Sequence, residues 1–286
     1  MGCSRSPACS NITQKSALHR RFFVSGVFIL ARLILIPTPL LAHADMDQAN
    51  CAAISSGEVT TVRHVIDGDT VILRDDRKVI LIGIDTPEIG YDGHPSEPGA
   101  IRARDFLKQL LTQNPSVYLI YDQEHFDRHR RTLAHLFLSN DNNIQAALLR
   151  EGMAMPLTIP PNLQFIDCYR QQSKIAMNKR RGLWTLPRYQ PVPVERLSGT
   201  ERGFHIITGR VVRVSESRSS IWINLEKRGA LRIQRKDLPY FKGINLQGLT
   251  GKRVQASGWL YRRNNELRMQ LRHRVDLQIA GITPGN

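Results

Sequence analysis

Acidic residues are scarce in this 286-residue chain, with 25 Asp and Glu against 40 Lys and Arg and a formal net charge of +15. Such a balance points to an anionic partner, nucleic acid or an acidic membrane surface, although a soluble protein from a basic proteome can carry it too. Long apolar runs are also missing. The uninterrupted stretch 22–30 is too short to span a bilayer comfortably, and Arg32 would sit at mid-membrane at a cost. Cysteine is rare, at four residues. What is plentiful is core-forming material: 41% hydrophobic residues exclude a wholly disordered chain, and the length suits two modest domains.

The charge is unevenly spread. Residues 1–44 contain no acid and carry +5, residues 45–195 carry −2 and residues 196–286 carry +12. The first segment places Arg20 and Arg21 before the apolar run, then Pro37 and Pro39, then Ala42-His43-Ala44. This reads as a signal peptide over 1–44, cut after Ala44, and predicts an exported protein, periplasmic or secreted. An uncut anchor is the alternative, and cleavage leaves no stable membrane association. Residues 1–6 also match an N-myristoylation pattern, which conflicts with the export signal behind it. Cys3 and Cys9 leave with the signal. Cys51 and Cys168 remain, either as one disulfide in an oxidising compartment or as two separate thiols.

The near-neutral middle holds the chemistry. Val59, Val62 and Val65 alternate as in a strand and lead to Asp67-Gly68-Asp69-Thr70, a tight-turn signal before a second β-rich run. The next run, 79–84, ends in Asp85-Thr86-Pro87-Glu88, where Pro87 has no N–H to continue a ladder. Acidic groups therefore fall where two strands end. Asp69 and Asp85, with the Thr86 carbonyl, offer the oxygen ligands a hard cation wants. Glu88 is placed to act as general base toward a metal-side water. Taken singly, each acid is equally at home in a turn or a cap. Ile101, Phe106, Leu107, Leu110 and Leu111 have helical spacing. Beyond a strand at 117–121 comes Phe126-Asp127-Arg128-His129-Arg130-Arg131-Thr132-Leu133-Ala134. A basic loop entering a strand can clamp phosphate, or be merely solvated. His129 reads as an ordinary loop histidine.

The three motifs in this order, Asp67 to Val71, Gly83 to Glu88 and Asp127 to Ala134, resemble the thermonuclease (staphylococcal nuclease-like) family. A block from Asn143 to Glu151, a helix from Asn162 to Asn178 and Arg181-Gly182-Leu183-Trp184 extend the likeness over residues 58–186. The resemblance implies an OB-type five-stranded β-barrel with three helices that hydrolyses phosphodiester bonds of DNA and RNA, usually with Ca²⁺. It implies that Asp69, Asp85 and Thr86 hold the metal, that Glu88 is the base or positions water, and that Arg131 stabilises charge on the phosphate. Two departures stand out. The family's arginine five residues before the second aspartate is replaced by Ile80, so Lys78, Arg77 or Arg130 would have to substitute. Residues 155–162 lack the aromatics that stack on the nucleotide in the best-known members.

Residues 187–200 hold three prolines within seven positions and read as a semi-rigid linker. Short β-patterned runs at 206–214, 221–225, 230–234, 254–261 and 267–277, with a turn at 263–266 and a helical piece near 237–241, predict a second small all-β OB-like barrel over 201–280. The whole chain is thus expected to be mainly β with helices (α+β). In this barrel Val254, Ala256, Gly258 and Leu260 alternate with Arg253, Trp259, Tyr261 and Arg263, and Leu267 to Leu271 alternate with Arg268 and Arg272. A basic face with aromatics suits single-stranded nucleic acid, unless the tryptophans bury themselves against a neighbouring element. On this reading, deleting the barrel weakens binding and flattens its salt dependence while leaving the catalytic residues in place.

Overall fold

The computed structural model describes residues 51–280 except 54–55, 113–114, 139–141 and the side chain of Arg228. The export signal, its cleavage site, the myristoylation pattern, Cys3 and Cys9 lie outside the described residues. Along the chain, strands β1 (Glu58–Val65), β2 (Thr70–Leu73), β3 (Lys78–Leu81) and β4 (Ile84–Asp85) precede helix α1 (Ala100–Thr112). Strands β5 (Ser116–Ile120) and β6 (Thr132–Leu138), helix α2 (Ile144–Arg150), strand β7 (Met155–Pro156) and helix α3 (Ile166–Asn178) follow. β1, β2 and β3 form an antiparallel meander, β3 runs parallel to β6, and β6–β5–β1 closes a five-stranded barrel. Period-two alternation fills it: Val71, Leu73, Val79, Leu81, Val117, Leu119, Ala134 and Leu136 are all buried.

Three local expectations need correction. In α1 the buried face is Ala100, Ala103, Leu107 and Leu111, while Ile101 is 46% exposed. Small residues face inward here because the helix lies close on the barrel: a Cβ on Gly68 would meet the Ala103 Cβ at 2.8 Å. Helix α3 begins at Ile166, not Asn162. Asn162 is instead spent in the loop, accepting from Glu124 N at 2.8 Å and donating to Glu124 O at 2.9 Å. The run 79–84 breaks at Gly83, whose φ of +87° and contact with the Tyr169 ring admit no side chain. The break swings Ile84–Asp85 off the barrel to pair with β7.

Cys51 and Cys168 form a disulfide, with Cα atoms 5.6 Å apart across 117 residues of sequence. It ties the segment before β1 to α3. Replacing both cysteines with serine should lower the unfolding free energy by about 2–5 kcal/mol, read from urea denaturation of the two proteins.

The stretch expected as a linker is built into the structure. Tyr189 and Val194 are buried, and β8 (Val192–Pro193) pairs in parallel with β9 (Gly203–Glu216). Pro187 and Pro193 fit because they occupy a 3₁₀ turn and a two-residue edge strand, where no ladder N–H is required. β9 continues into β10 (Ser220–Leu225), β11 (Gly229–Gln234), β12 (Arg253–Arg263), β13 (Glu266–Leu271) and β14 (Leu277–Ile279). β9–β10–β11–β13–β12–β9 closes a second five-stranded barrel with the connection order of the first, including one parallel pair, β11 and β13. The run expected over 267–277 is two strands, interrupted by a 3₁₀ turn at Arg274–Asp276. Asn264 and Asn265, both at positive φ, make the tight turn between β12 and β13. Among the described residues, no helix is long and apolar enough to cross a membrane.

The barrels share a core. Met155, Ala176, Leu183, Trp184 and Tyr189 pack against Phe204 and Ile206 of β9. Around it, Arg170 lies 3.6 Å from Asp276, and Arg272 donates to Pro160 O at 3.2 Å. Burial pushes the Asp276 carboxyl up to about 7, against the pull of Arg170 and Thr158.

Candidate active site

The acids foreseen at two strand ends do converge. Asp69 follows the β1–β2 turn, its Oδ1 accepting from Thr70 Oγ1 at 2.9 Å and its Oδ2 from Thr86 N at 3.1 Å. That second bond fastens the first acidic strand end to the second. Asp67 Oδ1 accepts from Asp69 N at 3.2 Å and organises the turn. Asp85 is only 7% exposed. Burial, then the charges of Asp69, Glu88 and Glu97, push its carboxyl well above the usual range. Burial and Asp67 likewise push Asp69 up to about 8. Asp85, buried, and Asp69, half-buried, are two carboxylates that resist ionising beside each other, a strain that a divalent cation would relieve. Among the described residues no group of three or more His, Cys, Asp or Glu side chains is gathered for a metal. Two carboxylates and the Thr86 carbonyl are the available set, which fits a hard cation that keeps some of its water.

Glu88 begins a loop closed by two hydrogen bonds with Glu97: Glu88 N donates to the side-chain Glu97 Oε2 at 3.2 Å, and Glu97 N to Glu88 O at 2.9 Å. Burial, Asp67 and Glu97 raise its pKa, opposed by the positive charges of Lys78 and Arg131. The charges of both predicted cations therefore act on Glu88. Arg131 is held in place by Asp127, whose Oδ1 accepts from Arg131 N at 2.9 Å and whose Oδ2 accepts from Arg131 Nε at 2.6 Å. Asp127 also accepts from His129 N. It is the residue that shapes the arginine loop, and its place at the head of the Asp-Arg-x-x-Arg motif was the available signal.

The substitutes for the missing arginine separate clearly. Ile80 sits in β3 opposite Thr70 and Leu133, with no charge of its own. Arg77 is engaged elsewhere, bonded to Glu58, Asp75 and Tyr121. Arg130 is exposed in the turn at φ +60°. Lys78 shares the non-core face of β3 with Ile80 and acts on Glu88.

The basic face of the second barrel is less uniform than its sequence. Arg253 and Arg263 are exposed and Tyr261 is half-buried. Arg268 stacks over the Trp222 ring, 4.7 Å from its centroid, and pairs with Glu266 at 2.7 Å. Arg272 is a strut to Pro160 in the first barrel and lies 3.6 Å from Asp237, so it does not belong to a free face. Trp259 lies outside its own barrel, the register partner of Phe204 in the β9–β12 pair, and stays 45% exposed. Sequence alternation places it there too.

Residues 78–186 match the family model described as staphylococcal nuclease homologue. A thermonuclease of Staphylococcus intermedius is 36% identical over 163 residues, covering 56% of this chain and 96% of that protein. A thermonuclease of Staphylococcus hyicus is 30% identical over 162 residues, covering 56% and 95%. A probable endonuclease of Arthroderma otae is 26% identical over 133 residues, covering 44% and 45%.

Proposed function

Because the chain belongs to the thermonuclease family, we propose that it is a nuclease that hydrolyses phosphodiester bonds of DNA or RNA with the help of Ca²⁺ or another divalent cation. The observation that carries the reading is the Thr86 N to Asp69 bond that fastens the two acidic strand ends together, with Arg131 held by Asp127 and the charges of Lys78 and Arg131 acting on Glu88. Asp69, Asp85 and the Thr86 carbonyl would hold the cation, which polarises the phosphate and binds water when present. Glu88 accepts the proton of the attacking water as its oxygen adds to phosphorus, the P–O bond to the departing nucleotide breaks, and the leaving oxygen takes a proton from solvent. The raised pKa of Glu88 suits a base that works nearer neutrality. Arg131, fixed by Asp127, presents a guanidinium to the charge that builds on the phosphate oxygens, and its fixed direction means little reorganisation is needed. The second barrel, which carries most of the positive charge of the mature chain, holds the nucleic acid through Arg253, Tyr261, Arg263 and the Trp222–Arg268 stack. The signal over residues 1–44 supports an exported protein working in the periplasm or outside the cell.

The test is cleavage of single- and double-stranded DNA and of RNA by the full chain, with Ca²⁺ and with EDTA. Cutting that needs the cation is expected, and no cutting under either condition would remove the reading.

Ile80 favours a second reading, a nucleic-acid-binding protein on an impaired nuclease scaffold. Ile80→Arg separates the two. If Lys78 does not replace the missing cation, the substitution should raise kcat by about 10²–10³. An unchanged rate in an active parent would show that Lys78 suffices.

A further inference from the structure

The outer face of the second barrel carries an aromatic ring already occupied by cations. In β10, Ile221, Ile223 and Leu225 point into the core, so Trp222 points out. By the same alternation Leu231 and Ile233 of β11 leave Ala230 and Arg232 outside, and Met269 and Leu271 of β13 leave Arg268 outside. Trp222 is the register partner of Arg232 across the β10–β11 ladder. Arg268 stands one strand further on, as the partner of Ala230. With β11 between them, the backbones of β10 and β13 lie about 10 Å apart. Yet Arg268 Cζ is 4.7 Å from the Trp222 ring centroid, and Arg232 Cζ is 5.5 Å from it. The side chains therefore meet over β11. The residue in that row of β11 is Ala230, whose single methyl leaves the ring room to cross. Ala230 is only 4% exposed although it stands on the outer face, as expected of a residue roofed by the ring and the guanidinium.

Each member of the group is fixed in direction. Arg232 Nε donates to Ser220 Oγ at 2.8 Å, and Trp222 Nε1 to Ser217 Oγ at 3.4 Å. Arg268 donates through Nε and Nη2 to Glu266 Oε2 at 3.0 and 2.7 Å. Among the described residues, no acceptor takes either Nη of Arg232 or Nη1 of Arg268. Of the two cations, only Arg268 has a carboxylate partner there. Two like charges seated on one ring repel each other, and an anion between them would relieve that repulsion. A guanidinium both stacks on aromatic faces and grips phosphate oxygens bidentately, so an arginine on tryptophan is already set for phosphate. The same stacking uses the π surface that a base would need.

We propose that Trp222, Arg232 and Arg268 form a phosphate clamp: the ring sets the direction of two guanidiniums that grip the sugar-phosphate backbone and leave the bases unread. The inference rests on the reading of the second barrel as the part that holds nucleic acid. It gives that barrel a partner class, duplex as well as single strands, because phosphate contacts position a nucleic acid without reading its bases. Trp222 serves charge here rather than stacking, which a basic face with aromatics would otherwise suggest.

The test is fluorescence anisotropy of the full chain in EDTA, which withholds the cation. The labelled probes are a short duplex, one of its strands alone, and that strand with abasic sites, each titrated across salt concentrations. Arg232→Gln and Arg268→Gln should each lower the slope of log affinity against log salt by about 0.9 on the duplex and about 0.7 on the single strand. Trp222→Leu removes no charge and keeps an apolar cover on Ala230, yet it should also lower the slope on both probes, since the guanidiniums lose their seat. The parent should bind the abasic strand as it binds the intact one. An unchanged duplex slope in both arginine variants, or in a folded Trp222→Leu, would overturn the proposal. So would weaker binding of the abasic strand together with loss of single-strand affinity alone in Trp222→Leu, the pattern of base stacking. If Trp222→Leu does not fold, the arginine variants decide through their slopes. A parent that binds no probe at any salt while still cutting with Ca²⁺ would overturn the role of the second barrel, and this inference with it, and leave the nuclease reading standing.

Discussion

Glu88→Gln is expected to lower kcat for phosphodiester hydrolysis by about 10²–10⁴ while leaving Ca²⁺ affinity within a few-fold of the parent. The amide keeps the size of the side chain but cannot accept a proton from water. Asp69, Asp85 and the Thr86 carbonyl, the oxygens assigned to the cation, remain. The substitution also removes a negative charge from a crowded acidic pocket, where Asp67 and Glu97 repel Glu88 and Glu88 in turn repels Asp85. Thermal stability should therefore hold or rise. This combination separates a base from a structural acid, because a structural Glu88 would lose stability together with rate. Steady-state kinetics, calorimetric Ca²⁺ titration and a thermal melt on the same preparation suffice. A rate within threefold of the parent would remove Glu88 from the mechanism.

The acids of the site were readable because turn chemistry in sequence is local. Asp-Gly demands a tight turn, Pro87 ends a ladder, and each fixes an acidic residue at a strand end without reference to the rest of the fold. Asp127 was in view for the same reason, but its role in holding Arg131 needed coordinates. The errors share a different cause. Ile101 satisfies helical spacing, yet Ala100 and Ala103 take the inner face because the helix approaches too closely for larger side chains. Pro187, Pro191 and Pro193 read as a spacer, since proline-rich composition says only that the backbone is extended. Whether an extended backbone is free or paired depends on a strand, β9, that comes later in the chain. Arg272 counted toward a binding face until its partner proved to be the Pro160 carbonyl, 112 residues away.

Removal of residues 201–280 is expected to destabilise what remains and to abolish most activity, not only to flatten the salt dependence of binding. The deletion strips Phe204 and Ile206 from the shared core and exposes Met155, Leu183, Trp184 and Tyr189, all buried in the full chain. Full burial of one large apolar side chain contributes about 1.5–3 kcal/mol. Partial exposure of four therefore costs several kcal/mol, a large share of the roughly 5–15 kcal/mol that holds a typical domain together. β8 loses the strand it pairs with, Arg188 loses its Arg202 carbonyl, and the Arg188–Glu97 support of the Glu88 loop is weakened. The charges proposed to grip the backbone leave at the same time, so the salt slope of binding should also flatten. Urea denaturation of residues 45–200 against 45–286 measures the first effect, and oligonucleotide titration across salt concentrations measures the second. Equal denaturation midpoints with a flatter salt slope would show two independent modules, the arrangement the charge distribution alone suggested. A lowered midpoint with lost activity would show that the second barrel is a wall of the catalytic site, and that the proline stretch joins the barrels by packing rather than by tethering.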